Sequence, residues 1–461
     1  MSARKIGLLV LILGLGALLE ISWNVRRQFD LGPEGCRVLG GRFYGPSWAF
    51  EEDARQEAPA GARVEVRNAF GAVRVGTGSA GEVRVALRKV VFLPTEQQAR
   101  EFAERVAVRA EVEGDLVRVG TNRDEIGRGD RVGLETHLEV RVPPGTAVVV
   151  RNEHGRVEAR DLGRVEVAAS YDGVRVERVA GSAEVKSRHG AASVSEVGGD
   201  LTLEAQHGDV EVEGVKGQVR IEARHGQVSV KRVGALTLDH AHGDVSVEEV
   251  AGELVVRAEH AGVRAGQVMG DVTIETSYNG IRVAGVGGDA RVKTQHGEVL
   301  VTDVKGSLFA EASYDRVKLE DVGGPVEVTV SHGGVEARGL AQGARIKASG
   351  DDVTLVGFQG ALEVEAERAR VDVVPGGPIT DRIEVRTTRG GIRLEVPEGS
   401  RFDLEAQSRR GEVRADVPGL SLTRGDPRRV SGRLAGGGNP VSLSADGDVE
   451  LEPRTAHAAR E

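Results

Sequence analysis

The chain has 461 residues, of which 64 are glycine, while aromatic residues make up 3% and charged residues 29%. The formal net charge is −10, but acidic and basic residues alternate, so the sequence excludes a basic face for nucleic acid. The single cysteine, Cys36, excludes an intramolecular disulfide and any cysteine-based metal cluster.

Abundant glycine and β-branched residues with few aromatics predict short strands, tight turns and a narrow aliphatic interior. At the N-terminus, Arg4 and Lys5 precede an apolar run, Ile6–Leu19. Glu20 interrupts it, and Ile21, Ser22 and Trp23 extend it towards Arg26-Arg27. Counted through Val25 the run approaches the roughly 20 residues that span a bilayer. No small-x-small cleavage site follows. Residues 1–27 are therefore expected to be an uncleaved signal-anchor, a single-pass membrane helix with an exported C-terminal domain. A cleaved signal and a secreted or periplasmic product is the alternative. Pro33-Glu34-Gly35 before Cys36 does not resemble a lipidation signal. Residues 28–60, with Pro33, Pro46 and Pro59, read as a linker.

Residues 61–453 read as one repeat array, and its first unit is V-R-N-A-F-G-A-V-R-V around Phe70. An insertion over 79–146 separates this unit from the rest. It predicts a strand over Glu82–Lys89 and then a short helix capped by Thr95, with Gln98 as the capping-box partner. Ala99, Phe102, Ala103 and Val106 form the helix's apolar stripe. Further strands are expected near Val108–Val112, Leu116–Val119 and Leu138–Val142. The insertion is expected to cover the open sheet edge at the start of the array.

Regular repeats occupy 147–350. An aromatic residue recurs at His154, Tyr171, His189, His207, His225, His242, His260, Tyr278, His296, Tyr314 and His332, every 17 or 18 residues. Apolar residues follow at offsets of three, five and eight, as in Val210, Val212 and Val215, and a glycine comes next. A second alternating pair, such as Val219/Ile221, completes the unit. Period-two alternation puts one face in and one out. Each unit is thus one coil with two strand-bearing sides. A single coil buries too little to stand alone, so neighbours must stack. Degenerate repeats continue over 351–453, and 454–461 is a tail. The fold expected is all-β, a single-stranded parallel β-solenoid of about 18-residue coils.

The opening VEVRNAFGAVRV, the repeated unit and the late GGGNPVSLSADGDVEL resemble the bacterial β-strand-repeat "putative adhesin" family of unknown function, some of whose relatives belong to envelope-stress systems. The resemblance implies a β-solenoid at the cell envelope, tethered or exported, and brings no catalytic residues.

Among candidate sites, the aromatic row is foremost. Stacked coils put like positions about 4.8 Å apart, suited to ring stacking or to imidazoles sharing a metal. Tyrosine replaces histidine in register, which favours a structural ladder over a metal, pH-responsive or ligand-binding surface. His240 with His242 breaks the pattern and is the metal candidate. Gly76–Gly81 spells G-x-G-x-x-G, but a strand rather than a helix follows, so it reads as a hairpin turn and not a phosphate cradle. Arg128-Gly129-Asp130 and Arg424-Gly425-Asp426 read as chance. No catalytic residue and no cofactor is assigned. The expected role is a non-enzymatic, membrane-anchored interaction module whose partner is an envelope protein or glycan. Alternatives are an effector-binding component of envelope-stress regulation and, third, a glycan-active enzyme.

Overall fold

The computed structural model describes residues 37–39, 42–126 and 132–454. Among them no helix is long and apolar enough to cross a membrane, and the expected signal-anchor lies outside them. So do Cys36, Arg128-Gly129-Asp130 and most of the tail. The array expected as one body divides into two compact units, Met1–Gly190 and Ala191–Glu461. Each is a parallel β-solenoid of coils about 18 residues long.

In the first unit, Arg63–Phe70, Ala147–His154, Arg164–Ala169 and Ala183–His189 stack in parallel along one side. Val73–Thr77, Val157–Leu162 and Val174–Val179 stack along the other. The insertion adds a rung of its own. Leu116–Thr121 pairs with Arg63–Phe70, and Gly133–Val142 pairs with Val73–Thr77, both in parallel. Gly76–Gly81 joins two strands, as expected, but not as a hairpin. Gly133–Val142 lies between them, antiparallel to Glu82–Phe92.

One correction concerns the start of this unit. The stretch expected as a linker holds an 11-residue strand, Ser47–Glu57, antiparallel to Glu82–Phe92. Its exposure alternates with a period of two, which the sequence masks because polar Glu52 and Gln56 share the half-buried face with Trp48 and Phe50. Trp48 and Phe50 from this strand pack on Val91, Phe102, Val106 and Leu134. Phe102 comes from the helix Glu96–Ala103, whose N-cap Thr95 accepts a hydrogen bond from the Gln98 amide. Lys89 is buried here. Its Nζ donates to the carbonyls of Ala103 and Val106 at the helix's end and meets Glu52 at 2.6 Å, which satisfies an otherwise costly charge.

In the second unit the register is regular. Val210 meets Val228, Val212 meets Val230, Val215 meets Val233, and Ile221 meets Leu238. These aliphatic columns form the core. The offsets of three, five and eight have a local cause. The residue before each third apolar position adopts the left-handed region, as at Glu196 (φ 56), Gly214 (φ 71), Arg232 (φ 54) and Glu249 (φ 58). One such residue slips the alternation, so Val212 and Val215 both face inward although three apart.

The C-terminal coils depart from chain order. Ile383–Thr388 and Ile392–Val396 pair with Asn439–Ala445 and Val449–Pro453. Phe402–Ser408 and Val413–Ala415 pair with those same two strands from the other side. The last coil of the chain is thus inserted between two earlier ones. Leu420–Asp426 and Arg429–Leu434 then form an antiparallel hairpin alongside Phe402–Ser408. Arg424 and Asp426 belong to that hairpin.

Candidate functional site

The aromatic row forms face-to-face stacks. In the first unit Phe70, His154, Tyr171 and His189 follow one another at 4.3, 4.4 and 5.2 Å between ring centres. Arg123 closes the free face of Phe70 at 4.7 Å. In the second unit His207, His225, His242 and His260 stack at 4.9 to 5.0 Å. Tyr278, His296, Tyr314 and His332 continue the row at 4.7 to 5.0 Å. The in-register coils dictate this spacing, since each ring sits on the same backbone position one strand further on.

That geometry bears on metal binding. His207 and His225 are parallel to within 1° at 4.9 Å. Two Zn–N bonds of about 2.1 Å, even in line, span only about 4.2 Å. Corresponding nitrogens of neighbouring stacked rings therefore lie too far apart to share an ion, and the rings would have to leave the stack to bind one.

His240 and His242 do different work. His242 stands on the exposed row, whereas His240 is buried, with Nδ1 3.2 Å from the Ala223 carbonyl oxygen and Nε2 3.1 Å from that of Gly243. A metal on either nitrogen would displace a backbone carbonyl. His240 occupies a recurrent slot two residues before each ring. Elsewhere Asn152 Nδ2 donates to the Gly155 carbonyl at 2.6 Å, and Ser187 Oγ donates to Gly190 at 3.1 Å. Asn68, Thr276 and Thr294 also fill this slot and donate to turn carbonyls. The slot clamps the turn, and a histidine there is one more clamp. Burial lowers the His240 pKa against the raising effect of the two carbonyls, and neighbouring His242 and His225 lower it further. Burial likewise lowers that of His154, with Glu153 and Asp172 opposing and Arg123 adding to the effect.

A second feature escaped the sequence reading. In the second unit a groove of about 780 Å³ crosses the outer face of one side of the coils, lined among others by Glu253, Arg291, Phe309, Glu327, Arg345 and Glu363. Phe309 stands half-buried on this outer face, and the Arg291 guanidinium lies 4.4 Å from its ring centre. A phenylalanine at an outward position between Arg291 and Glu327 was the available signal. Six carboxylates line the groove, so the charge and spacing of each matter. Asp271 and Asp289 accept backbone N–H groups of the next coil at 2.9 and 2.7 Å. Glu363 holds Arg345 at 2.8 Å, and Glu384 pairs with Arg382 and Arg386.

Residues 286–452 match the Toastrack DUF4097 family. The Toastrack stretch contains Phe309, the rings from His296 to His332, the inserted last coil up to Glu452 and the whole of the GGGNPVSLSADGDVEL segment that carried the resemblance. No curated protein is significantly similar to the chain. Among solved structures, one that the chain matches is a "putative adhesin" of Bacteroides fragilis, 11% identical, covering 55% of this chain and 97% of that one, with a TM-score of 0.29. Another is a "putative cell adhesion protein" of Clostridium sporogenes, 8% identical, covering 88% of this chain and all of that one, with a TM-score of 0.14.

Proposed function

We propose that the protein is a non-enzymatic interaction module of the bacterial cell envelope, anchored by its N-terminal segment, whose solenoid face binds a protein or glycan partner. The observation that carries this reading is the groove around Phe309. An aromatic ring and a stacked guanidinium are fixed on a regular sheet face, and both residue types are enriched at interfaces. The strands beneath are regular, so the surface is organised before any partner arrives and little ordering cost is due on binding.

The carboxylates do not favour glycoside hydrolysis. Glu253 and Glu327 are the two in the groove whose side chains have no hydrogen bond or ion pair among the described residues. They flank Leu254 and Val326, which are four rungs apart through Val272, Ala290 and Leu308. Four rungs amount to about 19 Å, whereas paired catalytic carboxylates stand at most roughly 9.5 Å apart.

Proximity labelling in the native organism tests the reading, comparing the wild-type chain with a Phe309→Ala/Arg291→Ala variant. Loss of specific envelope neighbours in the variant is the expected result. An unchanged neighbour set, with the variant exported and folded normally, would remove the groove from the binding surface.

A further inference from the structure

The groove at Phe309 is built from two rows of residues on one side of the second unit. In the row where each strand begins, the in-register pairing brings Glu253, Asp271 and Asp289 onto three consecutive rungs, about 4.8 Å apart. The next four rungs carry Ser307, Pro325, Gly343 and Ala361 at the same place. These compact residues leave a trough, and all seven positions line it. In the row two residues further along each strand, Arg291, Phe309 and Glu327 follow one another. The Arg291 guanidinium covers the Phe309 ring on one side, and Glu327 stands one rung beyond on the other.

The charge of this groove is unbalanced. Six acidic and three basic side chains line it, a net charge of −3. Ion pairs neutralise the far end, where Arg345 meets Glu363 and Arg382 meets Glu384. The surplus therefore lies at Glu253, Asp271 and Asp289 and at Glu327, before and beyond Phe309, against the single guanidinium of Arg291. None of these four carboxylates has an ion pair among the described residues. Like charges on neighbouring strands repel. Another acidic pair on this side of the coils, Glu222 and Asp239, shows the ordinary remedy. Those two share Arg220 at 2.7 and 3.8 Å, and Arg257 reaches Asp239 at 3.7 Å. The carboxylates around Phe309 lack that internal compensation.

We propose that the groove takes a basic segment of a partner protein, whose lysine or arginine side chains pass over Phe309 to Glu327 on one side and to the three carboxylates on the other. Such side chains match both parts of the surface. Their aliphatic stems cover apolar area while the charged heads stay at a polar, solvated rim, and a cation near an aromatic face gains further from the ring. The trough from Ser307 to Ala361 is three rung spacings, about 14 Å, which holds about four residues of extended chain. Charge complementarity selects this occupant. Sugar hydroxyls carry no charge to answer the surplus, and an acidic glycan or peptide would meet like charge, which suppresses wrong partners. The inference rests on the interaction-module reading and names the chemistry of its partner.

Calorimetric titration of the full chain with a nine-residue peptide of alternating lysine and serine tests the proposal. One exposed ion pair changes affinity by up to about fivefold, so Glu253→Gln/Glu327→Gln should weaken binding by about threefold or more. Phe309→Ala should weaken it by about twofold or more. The control is Glu211→Gln/Glu320→Gln, the same change of charge at exposed positions on the other side of the coils, and it should leave the affinity within about 1.5-fold. Equal weakening by the two double variants would reduce the binding to general attraction by an acidic protein and overturn the groove as its seat. A peptide with every lysine acetylated that bound as tightly would overturn the cationic occupant. A glucosamine tetramer that displaced the peptide at equal concentration would hand the groove to a cationic glycan and overturn the protein segment. If the lysine peptide fails while proximity labelling still loses neighbours in the Phe309→Ala/Arg291→Ala variant, the basic partner falls and the interaction-module reading stands.

Discussion

A single residue, His240, carries most of what can be asked at the residue scale. Both of its ring nitrogens face backbone carbonyls, whereas a neutral imidazole has one N–H to give. Asparagine fills the same slot at 68 and 152. His240→Asn should therefore keep the clamp and cost under about 1 kcal/mol, whereas His240→Leu strands buried carbonyls and should cost roughly 1–3 kcal/mol. Chemical denaturation of both variants decides this, and equal costs would refute the clamp. The same residue sets a pH dependence. Burial lowers the folded-state pKa of His240 and of His154 below 6.5. The unfolded chain then takes up protons before the folded one does. The stabilisation is complete above about pH 6.5 and is lost as the pH falls through the folded values. Thermal melts should give a lower Tm at pH 5 than at pH 7.5, and His240→Asn should narrow the difference. A Tm that does not move across this range would show that neither histidine is held neutral.

At the scale of the coil, the decisive feature is the left-handed corner. Charged or polar residues accept that conformation at Glu196, Arg232, Glu249 and Gln267, and glycine takes it at Gly214 and Gly285. Each non-glycine corner costs on the order of 1–2 kcal/mol, less where a polar side chain bonds locally. At Gly214 an added Cβ comes no closer than 3.7 Å to Glu196, so conformation and not space controls the position. Gly214→Asn should be nearly neutral, and Gly214→Val should destabilise by roughly 1–2 kcal/mol, because a β-branched residue is least at home there. Matched denaturation midpoints for the two variants would count against the corner. This corner was legible before any coordinates. Offsets of three and five followed by eight instead of seven mean one residue out of alternation, and a single such slip in every unit needs a conformation outside the extended region. The coil, its two sides and its ring row were likewise written in the spacing of His207, Val210, Val212 and Val215. The groove at Phe309 was not, because it depends on which outward side chains line up from coil to coil, and outward residues obey no repeat.

At the largest scale, the placement of the last coil changes how the second unit must hold together. Sequence order suggests that each coil rests on the one before it, and from Leu201 to Pro375 this is so. It fails at Phe402, because an alternating strand carries no mark of its neighbour, and several parallel partners satisfy the same pattern. Residues 439–453 supply the partners that 383–396 and 402–415 do not give each other. Phe402–Ser408 has Arg429–Leu434 on its other flank, antiparallel, and that hairpin is linked to the inserted strand by only a short connection. The segment from 402 to 453 is thus predicted to open and close as one cooperative unit, in place of fraying coil by coil as a sequential repeat does. Hydrogen exchange measured by mass spectrometry should give Phe402–Ser408, Arg429–Leu434 and Asn439–Ala445 a shared opening free energy. Truncation after Leu434 should remove protection from 402–415 and expose the edge of Ile383–Thr388, leaving Val210–His225 protected. Exposed parallel edges of this kind promote association, so the truncated protein should also aggregate on concentration where the intact chain does not. If both 402–415 and the edge of Ile383–Thr388 kept their protection after truncation, beyond what the Arg429–Leu434 pairing gives Phe402–Ser408, the two coils would be able to pair directly, and the inserted strand would be an addition to the stack and not its link.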